Sequence, residues 1–360
     1  MRILFSGGGT AGHINPALAI AKYAVDADKK TEILFVGASG GMEERLVTGA
    51  GFKIKCIPVI GLRRKISVEA ARAVIKFVSA YKKARTIIRD FRPDVVIGTG
   101  GYVCAPVLYA ASRMRIPTII HEQNVYPGLT VRLLSPRVDI TAISFEETEE
   151  YIKRAKRIIL TGNPIRPEIL KPRTKKSGGK PLVLISGGSL GAESINRTLI
   201  ELLELAGQEY YGIIASVGER NYDAVMGEIK KRGIRLSGNK QILPYIFDMD
   251  EKLAMADIAV TRAGAITVSE LCAIGKPAII IPSPNVVNNH QTYNARFMER
   301  RGAAVVIEEG ELSGDMLAGQ IKTLLSNPGE LSKMSRSGLE NAITTAAEDI
   351  YTTALELTRQ

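Results

Sequence analysis

Three observations predict an α/β protein of two Rossmann-like domains facing a cleft. Short β-branched runs alternate with longer helical patterns along the 360 residues, as βαβ units around a parallel sheet do. Several of these runs end directly in a glycine turn. The opening unit is also echoed: Ile3-Leu4-Phe5-Ser6-Gly7-Gly8 returns 180 residues later as Val183-Leu184-Ile185-Ser186-Gly187-Gly188. Each copy reads as a buried strand, a glycine turn and a helix, the first unit of a Rossmann-like domain.

In order, strands are expected at 2–6, 32–36, 94–98, 118–121 and 157–161, with helices at 16–25, 68–91 and 148–154. The alternation resumes at 182–186 and runs to about 307, and two helical segments close the chain. Between the halves, residues 163–181 hold four prolines around a Lys/Arg/Gly/Ser-rich centre, which is linker composition. The expected division is therefore 1–162, a linker at 163–180, 181–335, and a C-terminal helix at 336–360 that can pack back on the first domain. Two such domains would leave a cleft between the carboxyl ends of two sheets, where ligands of these folds bind.

Composition narrows the function. Hydrophobic residues make up 45% and charged residues 24%, a globular balance. Cys56, Cys104 and Cys272 form no CxxC pair, so neither a zinc knuckle nor a disulfide framework is expected. The chain opens on an apolar strand without the layout of a signal peptide, and a cytoplasmic location is expected. Residues 95–112 carry no charge, but Gly98, Gly100, Gly101 and Pro106 make them a strand, turn and helix rather than a membrane span. The net charge is +11, and residues 62–92 hold ten basic side chains against Glu69 and Asp90. Ala70, Val74, Phe77, Val78, Tyr81 and Ile88 run beside them at helical spacing. That segment reads as a helix that docks on an anionic membrane surface or, more simply, as a domain helix with a solvated charged face. No nucleic-acid partner is expected, because the aromatic residues within it lie on one helix face.

The motifs sit at strand ends. Gly7, Gly9 and Gly12 satisfy G-x-G-x-x-G, yet the second strand ends Val36-Gly37-Ala38-Ser39 with no acid for a nicotinamide ribose. The same loop carries Thr10, Ala11 and His13 at a helix start, where glycines and helix amides favour a phosphate or sugar. Gly98-Thr99-Gly100-Gly101-Tyr102 forms a second glycine loop. His121-Glu122-Gln123-Asn124 ends a strand with four polar residues, and Val125 excludes a zinc HExxH. In the second half Gly187-Gly188-Ser189 opens a helix, Arg262 to Glu270 offers another helix start, and Asn288-Asn289-His290-Gln291 follows two prolines. Asp248-Met249-Asp250 spells a D-x-D metal clamp, but its place at a helix start makes Asp248 a capping residue, and no metal or other cofactor is expected.

Taken in order, GGGTAGHINP, GTGGYV, HEQN, GNPIRP, GGSLGA, RAGAITVSE and NHQTYNA resemble the MurG family of glycosyltransferases, over residues 1 to about 300 and, by length, the whole chain. The resemblance implies a GT-B fold, UDP-GlcNAc as donor, lipid I as acceptor, and a peripheral place on the cytoplasmic face of a bacterial membrane. It implies that Thr10, Ala11 and Gly12 face the sugar, that Asn124 contacts a sugar, Arg166 the nucleotide and Ser189 a phosphate, and that Ile246 meets uracil through its backbone. Ala265, Ile266, Thr267, Val268 and Ser269 would bind diphosphate and ribose, with Glu270 on the ribose hydroxyls and Gln291 on the GlcNAc hydroxyls. Ala11 and Leu190 depart from the family's usual glycine and glutamine. Inverting transfer needs a base for the acceptor hydroxyl, for which His13 and Glu122 are the two candidates. A transferase with a diacylglycerol acceptor and a catalytically silent scaffold are the other readings.

Overall fold

The computed structural model describes residues 1–59, 68–171, 179–205, 211–236 and 238–359, and the side chains of 68–75 lie outside that description. The chain divides into two compact units, Met1–Ile165 with Ile343–Gln360, and Arg166–Ala342.

The first unit runs β1 (Arg2–Gly7), α1 (Ala11–Ala27), β2 (Glu32–Ala38), α2 (Met42–Gly49), β3 (Lys53–Ile57), α3 (Val68–Phe91), β4 (Val95–Gly100), α4 (Cys104–Arg113), β5 (Thr118–Glu122), α5 (Leu129–Leu134), β6 (Ile140–Ile143) and β7 (Ile158–Leu160). Its seven strands pair in parallel in the order β3-β2-β1-β4-β5-β6-β7. Helices on both faces explain why the strands read as continuous apolar runs. One face packs Leu4, Val96 and Ile120 against α3 and α4, and the other packs Ile3, Phe5 and Ile97 against α1.

The second unit runs β8 (Leu182–Ser186), α6 (Glu193–Leu205), β9 (Gly212–Ser216), α7 (Tyr222–Lys231), β10 (Lys240–Leu243), α8 (Met249–Met255), β11 (Ile258–Thr261), α9 (Ala265–Ala273), β12 (Ala278–Ile280), α10 (His290–Arg300), β13 (Ala304–Val306), α11 (Gly314–Leu325) and α12 (Pro328–Glu340). Its six strands pair in parallel in the order β10-β9-β8-β11-β12-β13. A last helix, α13 (Ala346–Leu357), belongs to the first unit, where Ile350, Tyr351 and Ala354 join the core beside α1.

In both sheets the strand order reverses beside the opening strand, between β1 and β4 and between β8 and β11. Ligands of open parallel sheets bind at the carboxyl ends of the strands at such a point. The glycine loops after β1 and β4 flank the first reversal, and the loops after β8 and β11 flank the second.

Several local expectations need correction. Residues 146–151 form a three-ten turn, not a helix at 148–154, because Ile152 already leaves helical backbone geometry. Helix α1 starts at Ala11 and runs through Pro16, which gives no N–H to the carbonyl of Gly12. Three helices, not two, follow Ile307. The chain enters its second unit at Arg166 and leaves it after Ala342, and residues 172–178 of the expected linker lie outside the described residues. In α3 the expected apolar stripe splits: Ile88 is buried and Tyr81 half-buried, whereas Phe77 and Val78 are exposed, and the helix buries Ala80, Ala84 and Ile87 instead. The expected contributions of Arg63, Arg64 and Lys65 lie outside the described residues, as do the side chains of Ala70, Arg72 and Val74.

Candidate functional site

In the first unit, the loop from Gly7 to Ala11 carries His13 into the first turn of α1, half-buried. The Nδ1 of His13 lies 3.2 Å from the carbonyl of Gly8 and 3.1 Å from the Thr10 hydroxyl. A carbonyl only accepts, so the contact with Gly8 is a hydrogen bond when the neutral ring carries its proton on Nδ1, the tautomer that leaves Nε2 as the basic atom. The ring lies over Gly100, where an added Cβ would come within 3.1 Å of Nε2. Thr99 donates from its hydroxyl to the carbonyl of His13 at 2.7 Å, so the second glycine loop braces the first. Thr10, Ala11 and Gly12 are all exposed at the mouth of this loop.

His121, Glu122 and Gln123 are buried, at 0%, 2% and 3% exposure, and bonded among themselves. The Nε2 of His121 donates to the carbonyl of Gly162 at 2.9 Å, and its Nδ1 accepts from the Gln123 amide at 2.9 Å. Burial pushes this imidazole down to about 4. The Glu122 carboxylate accepts from the backbone amides of Asn124 at 2.9 Å and Gly128 at 2.8 Å, and from the Asn124 side chain at 3.1 Å. Burial raises its pKa, against the lowering effect of those bonds. Of the four polar residues, Asn124 is the one presented at the surface, half-buried and pinned by Glu122.

The buried His121 makes a pH prediction. Its folded pKa lies below that of a free imidazole, so the unfolded chain takes up the proton first. The stability conferred by keeping it neutral is complete above about pH 6.5 and is lost as pH falls from there towards 4. Chemical denaturation of His121→Gln at pH 7 and pH 5 should show a smaller acid loss than the parent. An equal loss in both would place the acid sensitivity elsewhere.

In the second unit, α6 starts at Glu193, so Ser189 stands in the exposed turn before it rather than on the helix. The backbone there turns through Gly188 (φ 92°) and Gly191 (φ 75°), left-handed values that favour glycine. After β11, Gly264 is the N-cap of α9 and brings no side chain to its first amides, a helix start suited to an anion. Ala265 and Val268 are buried, Ile266, Thr267 and Ser269 half-buried. Glu270 is 5% exposed and paired with Arg166 in a bidentate contact, Nε to Oε1 at 2.7 Å and an Nη to Oε2 at 3.0 Å. The Glu270 carboxylate raises the pKa of this half-exposed guanidinium. Gln291, the second residue of α10, accepts on its side-chain carbonyl from the amide of Ser283 at 2.9 Å. Asn288 (φ 58°) and Asn289 (φ 51°) hold the preceding turn in the left-handed region. Ile246 is buried between the exposed rings of Tyr245 and Phe247, which stack edge-on at 4.9 Å. Asp248 occupies the N-cap of α8, but its side chain makes no capping hydrogen bond and pairs with Lys252 Nζ at 3.1 Å, so the capping expectation is corrected to an ion pair.

The motif reading passed over three residues of these loops. Glu43 and Thr99 tie together the loops of the first unit. Arg262 is bonded to the carbonyls of Ile281 and Pro282, to Ser194 and to Glu309, and so joins four segments beside the α9 start. Only Thr99 and Arg262 stood inside a recognised motif.

Two parallel-sheet α/β units, each with glycine-rich loops at its strand reversal, define a glycosyltransferase of the GT-B fold. Residues 3–143 match the glycosyltransferase family 28 N-terminal domain and residues 182–350 the glycosyltransferase family 28 C-terminal domain, and the chain belongs to this family. A UDP-N-acetylglucosamine--N-acetylmuramyl-(pentapeptide) pyrophosphoryl-undecaprenol N-acetylglucosamine transferase of Acetivibrio thermocellus is 50% identical over 98% of this chain and 96% of its own. One of the same name from Caldanaerobacter subterraneus subsp. tengcongensis is 49% identical over 98% of both. The crystal structure of Acinetobacter baumannii MurG aligns over 99% of each chain with a TM-score of 0.81 at 29% identity. Among the described residues no helix is long and apolar enough to cross a membrane.

Proposed function

We propose that the chain transfers N-acetylglucosamine from UDP-GlcNAc to the muramyl sugar of lipid I, with inversion, to give lipid II for peptidoglycan. The observation that carries this reading is half-identity, end to end, with transferases whose name states that donor and acceptor. Within the first unit His13 is the base. Its Nε2 takes the proton of the acceptor hydroxyl as that oxygen bonds to C1 of GlcNAc and the C1–O bond to UDP breaks. Glu122 is a poor competitor for that role, because its carboxylate is buried and engaged by two backbone amides, and we assign it to holding Asn124. Within the second unit, the turn at Ser189 and the first residues of α9, from Ala265 to Ser269, receive the diphosphate. Arg166, Ile246, Glu270 and Gln291 take the nucleoside and the sugar. Helix dipoles and a guanidinium stabilise the departing charge without a resident metal.

Mass spectrometry of products from UDP-GlcNAc and a lipid I analogue tests this directly. We expect the disaccharide product in the presence of a chelator. Product only on a diacylglycerol acceptor would overturn the acceptor, and loss of activity with chelator and recovery with magnesium or manganese would overturn metal independence.

The acceptor is lipid-linked, and α3 offers a means of reaching it. Lys76, Lys82, Lys83, Arg85 and Arg89 are exposed on that helix beside Phe77 and Val78. We read this face as a peripheral dock on the cytoplasmic surface of the membrane, each cation contributing about 1 kcal/mol near anionic lipid. Sedimentation should show binding to anionic but not neutral vesicles, weakened by salt. Reversing Lys76, Lys82 and Lys83 to glutamate should abolish it while UDP affinity is kept. Undiminished binding by that variant would put the dock elsewhere.

A further inference from the structure

A buried carboxylate joins two loops of the first unit, and the chemistry above makes no use of it. Glu43, the second residue of α2, is 0% exposed. Its Oε1 accepts from the amide of Ala38 at 2.9 Å and its Oε2 from the amide of Gly9 at 3.4 Å. A Cβ added at Gly8, Gly37 or Gly41 would run into the Glu43 side chain. None of these three glycines has a left-handed φ. Backbone shape therefore does not require glycine at these positions, whereas room for the carboxylate does.

The carboxylate leads to His13. Gly9 follows Gly8, whose carbonyl holds the Nδ1 of His13 at 3.2 Å. Gly101 packs its backbone on that of Gly8, and the ring of Tyr102 lies against Gly9. Burial and then the charge of Glu43 push the Tyr102 phenol up. Carboxylate, loop and imidazole thus form one chain of contacts. Only a carboxylate offers an acceptor to both amides, and bonds from N–H to an ionised acceptor are the stronger kind. A glutamine would turn an N–H towards one of them.

We propose that Glu43 is a positioning residue for the transfer reaction. Its carboxylate fixes Gly8 and Gly9 so that the Gly8 carbonyl keeps the proton on Nδ1 of His13 and leaves Nε2 as the base. The proposal rests on His13 as the base.

The test is Glu43→Gln in the full chain, read by thermal unfolding, steady-state kinetics and 15N NMR of the imidazoles. Three histidines are few enough to assign by single substitutions. We expect a folded variant whose turnover falls about five- to tenfold, the size of a modest misplacement of a catalytic group. KM for UDP-GlcNAc should stay within about twofold, because the donor contacts proposed above lie mainly in the other unit. The His13 nitrogens should move from the Nδ1–H form to a mixture of tautomers. A folded variant with unchanged His13 nitrogens overturns the proposal, and so does an altered tautomer at undiminished turnover. If Glu43→Gln fails to fold, Gly41→Ala crowds the same carboxylate and carries the same expectations. Retained turnover in His13→Ala would sink the base assignment by itself, whereas the tautomer readout decides separately whether Glu43 orients the ring.

Discussion

His13→Ala is expected to lower turnover by about 100-fold or more while leaving UDP affinity nearly unchanged. In this imidazole Nδ1 faces the carbonyl of Gly8, and Nε2 stands over Gly100. Alanine removes the proton acceptor and leaves the backbone braces intact, since Thr99 bonds the carbonyl of residue 13 and not its side chain. Single-turnover rates with a lipid I analogue, beside UDP titration by calorimetry, separate chemistry from binding. A variant that kept more than about a tenth of parental turnover would remove His13 from the base role. Glu122→Gln is the control. It keeps an acceptor for one amide, and its effect should follow from displacement of Asn124.

Glu270→Gln is expected to weaken donor binding about tenfold or more. Hydrogen bonds to a charged group are worth about 1.5–3 kcal/mol each, and about 1.4 kcal/mol is a factor of ten in affinity. In the structure the carboxylate is held by Arg166, whose half-exposed side chain keeps the pair from adding much stability of its own. The bound donor would compete with that guanidinium or share the carboxylate with it. A double-mutant cycle with Arg166→Ala decides which. If Glu270→Gln costs nothing further once Arg166 is gone, the pair acts as one structural unit and the ribose contact is absent. If the two losses add, each residue meets the donor separately.

The large features were legible because they are written in local chemistry. Apolar strands ending in glycine turns announce a doubly covered parallel sheet, and the repeat of 3–8 at 183–188 announced a second one. The seven ordered motifs carried the family, which the match to both family 28 domains bears out. What stayed hidden depends on contacts remote in sequence. The four polar residues from His121 looked alike, and only their partners at Gly162, Thr99 and Gly128 separate three buried braces from one presented side chain. Asp248 looked like a helix cap because position alone cannot show a lysine one turn away taking the carboxylate. Glu43 gave no signal beyond two preceding glycines, since its meaning lies in Gly8 and Gly9, more than thirty residues earlier.

The return of α13 to the first unit has a consequence for biosynthesis. Ile350 and Ala354 are fully buried in the core that contains Ile3, Phe5 and Ile20, yet they are made only after the whole second unit. Residues 166–342 form an unbroken stretch, so the second unit has everything it needs before α13 is made. The first unit does not. Its apolar face beside α1 must wait, partly uncovered, through the synthesis of the whole intervening unit, against the usual order in which N-terminal domains fold first. That waiting surface is where a nascent-chain chaperone would bind, and it is also where a stop codon placed before Ala346 would leave the protein prone to aggregate.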